Sequence, residues 1–259
     1  MNKELRRNTI SAIIIAKNAD GLIEDCLKSI KWVDEIVLVD DASTDKTISI
    51  AKKHNALVVN NKSDSFARRR EKGARMASGE WLLFIDTDER VTPALKKEIL
   101  KETREGNVDS YAIPRQNIFL GRKMRWGGWW PDYVLRLIKK GSLESYTGDL
   151  HEQPVIKGST AKLKNYFIHI THRSLSEMVE KTNKWSEIEA RLMFEAKHPP
   201  MNVRRFATAM LREFWYRAVL KLGFLDGLVG VIEIIYQMFS RFISYAKLWE
   251  MQNKTKKTV

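Results

Sequence analysis

Four short apolar runs in the first ninety residues alternate with segments of helical character, and this alternation constrains the fold more than any other feature. The runs cover residues 9–17, 35–39, 56–59 and 80–85. Runs of this kind are typical of strands that are buried on both faces. Helices are predicted between them, over residues 21–30, 47–54 and 65–77, and a further helix is predicted to begin at Pro93. Strands that alternate with helices predict an α/β fold with a mostly parallel sheet and right-handed crossovers.

The composition narrows the class of protein. Of the 259 residues, 44% are hydrophobic, which excludes a largely disordered chain. The formal charge of +13 indicates anionic partners such as nucleic acid, nucleotides or an acidic membrane surface. The chain has one cysteine, Cys26, so an internal disulfide is excluded and a cytoplasmic location is compatible. The most apolar region, residues 218–246, is interrupted by charged side chains, so a membrane-spanning helix is not expected.

The chain changes character beyond its first hundred residues. Residues 109–170 contain short β-rich pieces and several glycines, and we interpret them as the second half of the same domain. Residues 203–222 and 224–249 are predicted to form two helices that are rich in aromatic and basic residues. The predicted domains are therefore an α/β domain over residues 1–198 and a helical appendage over residues 199–259.

Acidic residues follow two of the predicted strands. Asp40 and Asp41 end the second strand, and Asp86 and Asp88 end the fourth. In open α/β sheets, ligands bind beyond the carboxyl ends of the strands. Residues two apart in an extended segment point the same way, and two close carboxylates favour a cation between them. Mg²⁺ and Mn²⁺ take oxygen ligands and bridge to phosphates, so we predict a Mg²⁺ or Mn²⁺ site at Asp86 and Asp88. His169 ends an apolar run and is either an additional metal ligand or a core histidine.

Three N-terminal segments carry a family resemblance: residues 13–18 read IIIAKN, residues 38–47 read LVDDASTDKT, and residues 79–89 read GEWLLFIDTDE. In this order and spacing, they resemble family 2 glycosyltransferases of the GT-A fold. Three later segments resemble the narrower branch that contains the lipopolysaccharide core β-glucosyltransferases: PDYVLRL at 131–137, LHE at 150–152 and GFLDG at 223–227. The resemblance covers about residues 9 to 250. It implies the GT-A fold for the α/β domain.

The resemblance also implies roles for individual residues. Asp41 matches the aspartate that binds the nucleotide base, usually uracil, with Asp40 as the alternative. Asp88 matches the metal ligand, and Asp86 faces the ribose and the metal. The residues assigned to donor binding are Lys17, Asn18, Asp40, Asp41, Arg70, Asp86 and Arg136, and those assigned to the metal are Asp86, Asp88 and His169.

Two of these assignments depart from the family pattern or depend on a charge run. The family often has asparagine after the arginine that Arg70 matches, whereas this chain has Glu71. The run Arg68-Arg69-Arg70 is expected to be mostly a solvated face, with one of the three in the site.

The reaction implied by the family is transfer of a sugar from a UDP-sugar with inversion. A carboxylate deprotonates the acceptor hydroxyl, which attacks the anomeric carbon opposite the leaving diphosphate. Glu152, in the His-Glu pair of the branch motif, is the candidate base, and Asp149 is the alternative. Trp126, Trp129 and Trp130 are either core residues or a surface on which sugar rings stack.

The expected partners follow from the resemblance and the charge. They are a UDP-sugar, with UDP-glucose suggested by the branch, a glycan or glycolipid acceptor such as lipopolysaccharide core, and an anionic membrane surface. Residues 201–259 contain ten Lys and Arg, four Asp and Glu, and many aromatic residues, a pattern that suits helices lying on an anionic leaflet. A cap on the catalytic domain or a homodimer interface is the alternative. The expected location is cytoplasmic, peripheral on the inner face of the membrane.

Two other classes of protein fit the sequence less well. A basic nucleic-acid-binding protein is compatible with the charge, but the chain lacks RNA-binding and zinc-finger signatures, and its basic residues are spread along the sequence. No nucleic-acid partner is therefore expected. A dinucleotide oxidoreductase is disfavoured, because residues 16–21 read AKNADG instead of a glycine-rich fingerprint.

Overall fold

The computed structural model describes residues 8–61, 65–148 and 152–257, with side chains described as far as Lys254. The predicted base Asp149 and its neighbour His151 lie outside the described residues. The strands are β1 (Ile10–Ala16), β2 (Glu35–Asp40), β3 (Leu57–Asn60), β4 (Trp81–Asp86), β5 (Glu89–Val91), β6 (Ser110–Phe119), β7 (Arg122–Lys123), β8 (Asp132–Lys139), β9 (Leu143–Thr147), β10 (Gln153–Ile156), β11 (Thr160–Lys162) and β12 (Phe167–His172). The α-helices are α1 (Asp20–Ile30), α2 (Thr47–Lys53), α3 (Phe66–Met76), α4 (Pro93–Glu105), α5 (Leu175–Glu195), α6 (Val203–Phe214) and α7 (Gly227–Lys257).

The main sheet has the order β3-β2-β1-β4-β8-β6-β12-β5. Strands β1 to β4 are parallel to one another, as the alternation of strands and helices predicts. The sheet then becomes mixed, because β8 is antiparallel to both β4 and β6, and β5 is antiparallel to β12. The predicted α/β fold is thus confirmed, as a mostly parallel sheet flanked by helices and followed by a helical C-terminal segment.

Strand β1 is buried on both faces, which explains its uninterrupted apolar sequence. Ile14 packs with Leu27 of α1 in one cluster, whereas Ile13 packs with Ala74 of α3 in another. Helix α3 approaches this strand closely at Gly73, where an added Cβ would lie 2.5 Å from Cγ2 of Ile13. The crossover helices therefore cover both faces of the strand that leads into Lys17 and Asn18.

Local caps explain where two helices begin. Thr92 Oγ1 accepts a hydrogen bond from the Leu95 backbone N–H at 3.2 Å, and Pro93 occupies the first helical turn as predicted. Ser174 Oγ accepts from the Glu177 backbone N–H at 3.1 Å and starts α5. The predicted single helix over residues 203–222 is instead α6 followed by a π-helical segment, Trp215–Leu220.

The chain divides into two compact units. The first comprises residues 1–115 and 132–169, and the second comprises residues 116–131 and 170–259, within the described parts of each. Helix α5 falls in the second unit, so the division by compactness differs from the predicted boundary at residue 198. The assignment of separate roles to residues 1–198 and 199–259 stays a prediction.

Helix α7 bears on the expectation about membrane-spanning helices. By length and composition alone, the stretch Gly223–Lys254 is long and apolar enough to cross a membrane, and 28% of its most apolar window is buried. By this criterion the charged residues do not exclude a membrane-spanning helix, and the expectation that the region does not span a membrane stays a prediction. Core helices satisfy the same criterion, and Leu248 of α7 is indeed buried beside Ala190 of α5.

Candidate active site

The carboxyl ends of three parallel strands meet at one edge of the sheet. The register pairs Ala16 with Asp40 and Ile15 with Asp86. The segments that follow these strands, beginning at Lys17, Asp41 and Thr87, therefore emerge side by side. The structure thus brings the predicted donor-binding residues of three separate motifs to the same edge.

Asp41 lies between two cations. Its Oδ2 is 3.2 Å from Lys17 Nζ and 2.8 Å from Arg69 Nη2. Arg69 is buried, which contradicts the expectation that the arginine run is mostly a solvated face with one residue in the site. Both Arg69 and Arg70 are buried, because their positions on α3 face the sheet. The sequence did not indicate a role for Arg69, because a run of three arginines does not reveal which of them faces the sheet.

Asp40 and Asn18 shape the loop beside Asp41. Asp40 is buried, its Oδ2 accepts from the Ser43 backbone N–H at 3.0 Å, and its buried Oδ1 has no hydrogen-bond partner. Asn18 adopts a left-handed backbone conformation, φ 49°, and its Oδ1 accepts from the Thr44 backbone N–H at 2.8 Å. These contacts hold the loop after β2 against the end of β1.

Asp86 is held by two buried arginines. Arg70 Nη2 donates to Oδ1 at 2.9 Å, and Arg136 Nη2 donates to Oδ2. Burial alone would raise the pKa of Asp86, but Arg136 and Arg70 together hold it well below its usual value. Buried Glu89 accepts from the Asp86 backbone N–H at 2.9 Å and also lies 3.5 Å from Arg136. Asp86 is therefore an ionised carboxylate whose two oxygens are both engaged by guanidinium groups.

The candidate base Glu152 joins the same network. Its Oε1 accepts from Arg70 Nε at 2.8 Å, so Arg70 bridges Glu152 and Asp86. Arg115 lies 2.7 Å from Asp132 and 3.6 Å from Glu89. The arginines and carboxylates line a cleft of about 240 Å³; its charged residues are Arg70, Asp86, Arg115, Arg136 and Glu152.

The cleft has more guanidinium donors than its carboxylates use. Among the residues described, Arg70 Nη1 and Arg136 Nε are buried and have no hydrogen-bond partner. Guanidinium groups bind phosphate oxygens with paired hydrogen bonds, and buried donors without partners are costly. An anionic ligand with several oxygens, such as a diphosphate, would satisfy these donors.

Asp88 lies beside His169. Its Oδ2 is 3.4 Å from His169 Nε2, and the register pairs His169 with Glu89 in the neighbouring strand. Thr87 and Asp88 form a turn between β4 and β5, so the extended spacing that led us to place Asp86 and Asp88 on one side does not apply. The described residues contain no group of three or more histidine, cysteine or acidic side chains that could hold a metal alone.

A divalent cation at this turn would be bound jointly by the protein and a phosphate-containing substrate. Mg²⁺ sites commonly use one or two carboxylates, with phosphate oxygens and water completing the shell. Asp88 would supply one such carboxylate, and His169 would supply a ring nitrogen beside it. Asp86 fits less well as a ligand, because both of its oxygens are already engaged by arginine.

The three tryptophans were predicted to be either core residues or a sugar-stacking surface, and the structure places one inside and two at the surface. Trp129 is partly buried, with its ring centroid 5.1 Å from that of Phe119. Trp126 and Trp130 are 41% and 37% exposed.

Comparison with solved structures identifies the class of fold. The structure of S. aureus TarS 1-349 in complex with UDP-GlcNAc matches with a TM-score of 0.51 and 16% identity, covering 95% of this chain and 92% of that one. The fold, a mostly parallel sheet flanked by helices, is that of the GT-A glycosyltransferases.

Sequence comparison then identifies the family. The family model for glycosyl transferase family 2 matches residues 11–175, and this chain belongs to that family. An uncharacterized glycosyltransferase of Rickettsia bellii is 28% identical over 96% of this chain and 88% of its own length. A lipopolysaccharide core biosynthesis glycosyltransferase of Rhizobium meliloti, LpsC, is 25% identical over 93% of this chain and 92% of its own length. The chain is a glycosyltransferase.

Proposed function

We propose that this enzyme transfers a sugar from a UDP-sugar, with inversion and with a divalent cation, to a glycan or glycolipid acceptor such as lipopolysaccharide core. The observation that carries the proposal is the excess of buried guanidinium donors in the cleft at the strand ends. The similarity to TarS, solved with UDP-GlcNAc, and to LpsC, a lipopolysaccharide core enzyme, supports the donor and acceptor classes. UDP-glucose is the donor that the branch motifs favour.

Asp41 receives the uracil base in this proposal. Both of its ion pairs, to Lys17 and Arg69, are made through Oδ2, so Oδ1 lies outside them and can accept the uracil N3–H. Asp40 is the alternative, since its buried Oδ1 has no partner. Arg70 and Arg136 then bind the diphosphate through N–H groups that Asp86 and Glu152 leave available.

Asp88 and His169 would hold Mg²⁺ or Mn²⁺ together with the diphosphate. The bound cation would neutralise charge on the leaving diphosphate. Asp86 enters the proposal as the residue that orients the two arginines. Direct ligation of the metal by Asp86, as the family resemblance implies, would require one of its ion pairs to open.

Glu152 is the proposed base. It takes the proton from the acceptor hydroxyl while that oxygen attacks the anomeric carbon, and the bond from that carbon to the diphosphate oxygen breaks on the opposite face. Arg70 and Arg136 stabilise the electron pair that passes to the diphosphate. Asp149 remains the alternative base.

The C-terminal helices are proposed to dock on the anionic inner face of the membrane, where a glycolipid acceptor resides. The proposal is supported by the excess of basic residues over residues 201–259 and by the exposed apolar side chains of α6 and α7. A homodimer through the same helices is the alternative.

Donor and metal are tested together by thermal shift. UDP and UDP-sugars should raise the melting temperature, and Mn²⁺ should increase the shift, because a ligand that binds only the folded state stabilises it. Asp88→Ala should remove the effect of Mn²⁺ and abolish transfer, whereas Asp25→Ala, at an exposed carboxylate on α1, should change neither. A variant at Asp88 with near-normal turnover in Mn²⁺ would refute the metal assignment.

The base pocket is tested by nucleotide selectivity. A buried acceptor that lacks its donor costs about 1–3 kcal/mol, so UDP should bind more tightly than CDP, whose base has no N3–H. Asp41→Asn should reduce that preference. Equal affinity of the wild-type enzyme for UDP and CDP would remove the role from Asp41.

A further inference from the structure

A tight turn in the second unit, residues 126–130, presents aromatic rings to solvent. We refer to it as the aromatic turn. The Trp129 backbone N–H donates to the Trp126 carbonyl at 3.2 Å and closes it. Gly127 and Gly128 have positive φ values of 66° and 87°, where a side chain would be strained. The turn depends on these two glycines and leaves Trp126 and Trp130 exposed.

Buried groups hold the backbone of this turn from several sides. Asp226, which is 3% exposed, accepts from the backbone N–H groups of Arg125 at 3.0 Å and Trp126 at 2.8 Å. The Gly127 backbone N–H donates to the Lys221 carbonyl at 2.8 Å. Asp226 belongs to the GFLDG motif, which the mechanism leaves without a role.

A partly buried ion pair between Arg217 and Glu233 supports the turn. Arg217 donates to the Gly127 carbonyl at 3.1 Å and to Glu233 at 3.3 Å, and its guanidinium lies 5.3 Å from the centre of the Trp129 ring. Glu233 is 1% exposed, and burial raises its pKa to about 7 although Arg217 opposes the shift. A buried ion pair often adds little to the stability of a fold. By holding the turn in one conformation, however, the pair lowers the entropy that ligand binding would cost.

A third exposed ring lies against the turn. An added Cβ at Gly128 would be 3.4 Å from Cε1 and Oη of Tyr216, so the ring borders the glycine directly. Tyr216 is 43% exposed, and Lys221 Nζ lies 5.6 Å from its ring centre. The exposed charged residues on and beside the turn are basic, namely Arg122, Lys123, Arg125 and Lys221, whereas the acids that contact it, Asp226 and Glu233, are buried.

We propose that the aromatic turn is a binding site for a phosphorylated saccharide, with sugar faces stacked on Trp126, Trp130 and Tyr216 and phosphate bound by the surrounding basic residues. Tryptophan and tyrosine combine an apolar ring with a polar N–H or O–H group. They therefore suit a sugar ring, which has an apolar face and hydroxyl groups around its edge. Lysine and arginine side chains suit phosphate. The proposal rests on the proposed function, because the saccharide would be part of the acceptor.

Isothermal titration with a defined probe tests the site. The probe is a deacylated, phosphorylated lipopolysaccharide core oligosaccharide, compared with the same oligosaccharide after dephosphorylation. Trp126→Ala and Trp130→Ala should each weaken binding of the phosphorylated probe by about tenfold, and dephosphorylation should weaken binding to the wild-type enzyme similarly. Trp249→Ala, at a tryptophan of α7 that is 49% exposed, is the matched control and should leave binding unchanged.

Wild-type affinity in both turn variants, or equal binding of the dephosphorylated probe, would overturn the proposal. UDP binding, measured on the same samples, separates this outcome from failure of the proposed function. If UDP binds and the turn variants bind the probe normally, the aromatic turn alone is refuted. If the wild-type enzyme binds the probe but neither UDP nor any UDP-sugar, the donor assignment fails while the saccharide site stands. Melting temperatures of the variants verify that they fold.

Discussion

Glu152 is the residue on which the chemistry of the proposed transfer depends most directly. Its only described ion pair is with Arg70, at 2.8 Å, and its side chain is 15% exposed at the cleft. A carboxylate in this position has two interpretations: it accepts the proton of the acceptor hydroxyl, or it serves only to orient Arg70. The two roles make different kinetic predictions.

Glu152→Gln keeps the shape of the side chain and a carbonyl oxygen for Arg70, but removes its basicity. We expect turnover to fall by at least about 10²-fold, the lower end for general-base catalysis, while UDP-sugar affinity stays nearly unchanged. Steady-state kinetics and titration with UDP measure the two quantities. Glu144→Gln, at an exposed carboxylate on β9, is the control.

Other outcomes reassign the base. If Glu152→Gln is active and Asp149→Asn is inactive, Asp149 is the base. If Glu152→Gln loses UDP-sugar affinity and turnover together, the carboxylate acts through Arg70 and not on the acceptor.

At the scale of secondary-structure elements, Asp86 connects three of them through ion pairs. It ends β4, and its carboxylate holds Arg70 of α3 and Arg136 of β8. Removal of one partner from a buried ion pair costs about 3–5 kcal/mol. We expect Asp86→Asn to lower the free energy of unfolding by about 3 kcal/mol at pH 7, near the lower end of that range, because Asp86 is itself 30% exposed and because Glu152 and Glu89 still face the two buried arginines. Asp25→Asn, at an exposed pair, should cost less than about 1 kcal/mol.

The ion pairs of Asp86 with Arg70 and Arg136 predict that stability depends on pH in the acid range. In the folded protein the pKa of Asp86 lies below its ordinary value of 3.8. Its stabilising contribution is therefore fully present above pH 3.8 and is lost as the pH falls below that value. Urea unfolding between pH 7 and pH 2.5 should therefore show a smaller loss of stability for Asp86→Asn than for the wild-type enzyme below pH 4. Parallel pH profiles would show that the carboxylate contributes nothing through its charge.

At the scale of the whole molecule, the C-terminal helices predict attachment to an anionic membrane. Leu228 and Ile235 of α7 are seven residues apart, on one helical face, and are 76% and 61% exposed. The wild-type enzyme should sediment with vesicles that contain anionic lipid at low salt, and binding should fall with added salt because the basic residues are screened.

A paired charge substitution on that face tests the attachment. Leu228→Asp with Ile235→Asp should reduce sedimentation with vesicles severalfold, whereas Leu175→Asp, at a leucine that is 53% exposed in the first turn of α5, should not. A wild-type enzyme that stays in solution at low salt would refute membrane docking. If the paired substitution instead converts a dimer to a monomer in analytical ultracentrifugation, the face is a subunit interface.

Local patterns in the sequence determined the first four strands, the helices between them and the placement of acids at strand ends. The apolar runs and the helix caps involve residues that are close in the sequence, so they can be recognised without knowledge of the fold. The three N-terminal motifs identified the family for the same reason, because each is a continuous segment whose residues stay together in any conformation of the chain.

The tertiary structure decided which charges meet. Arg70 and Glu152 are 82 residues apart, and Arg136 reaches Asp86 because β8 inserts antiparallel beside β4. The burial of Arg69 and Arg70 depends on the face that α3 turns to the sheet, and the turn at Thr87 and Asp88 separates two acids that their spacing had placed together. The sequence supplied the ionisable groups of the site, but their pairing depends on strand order and helix orientation, which long-range packing sets and no short segment encodes.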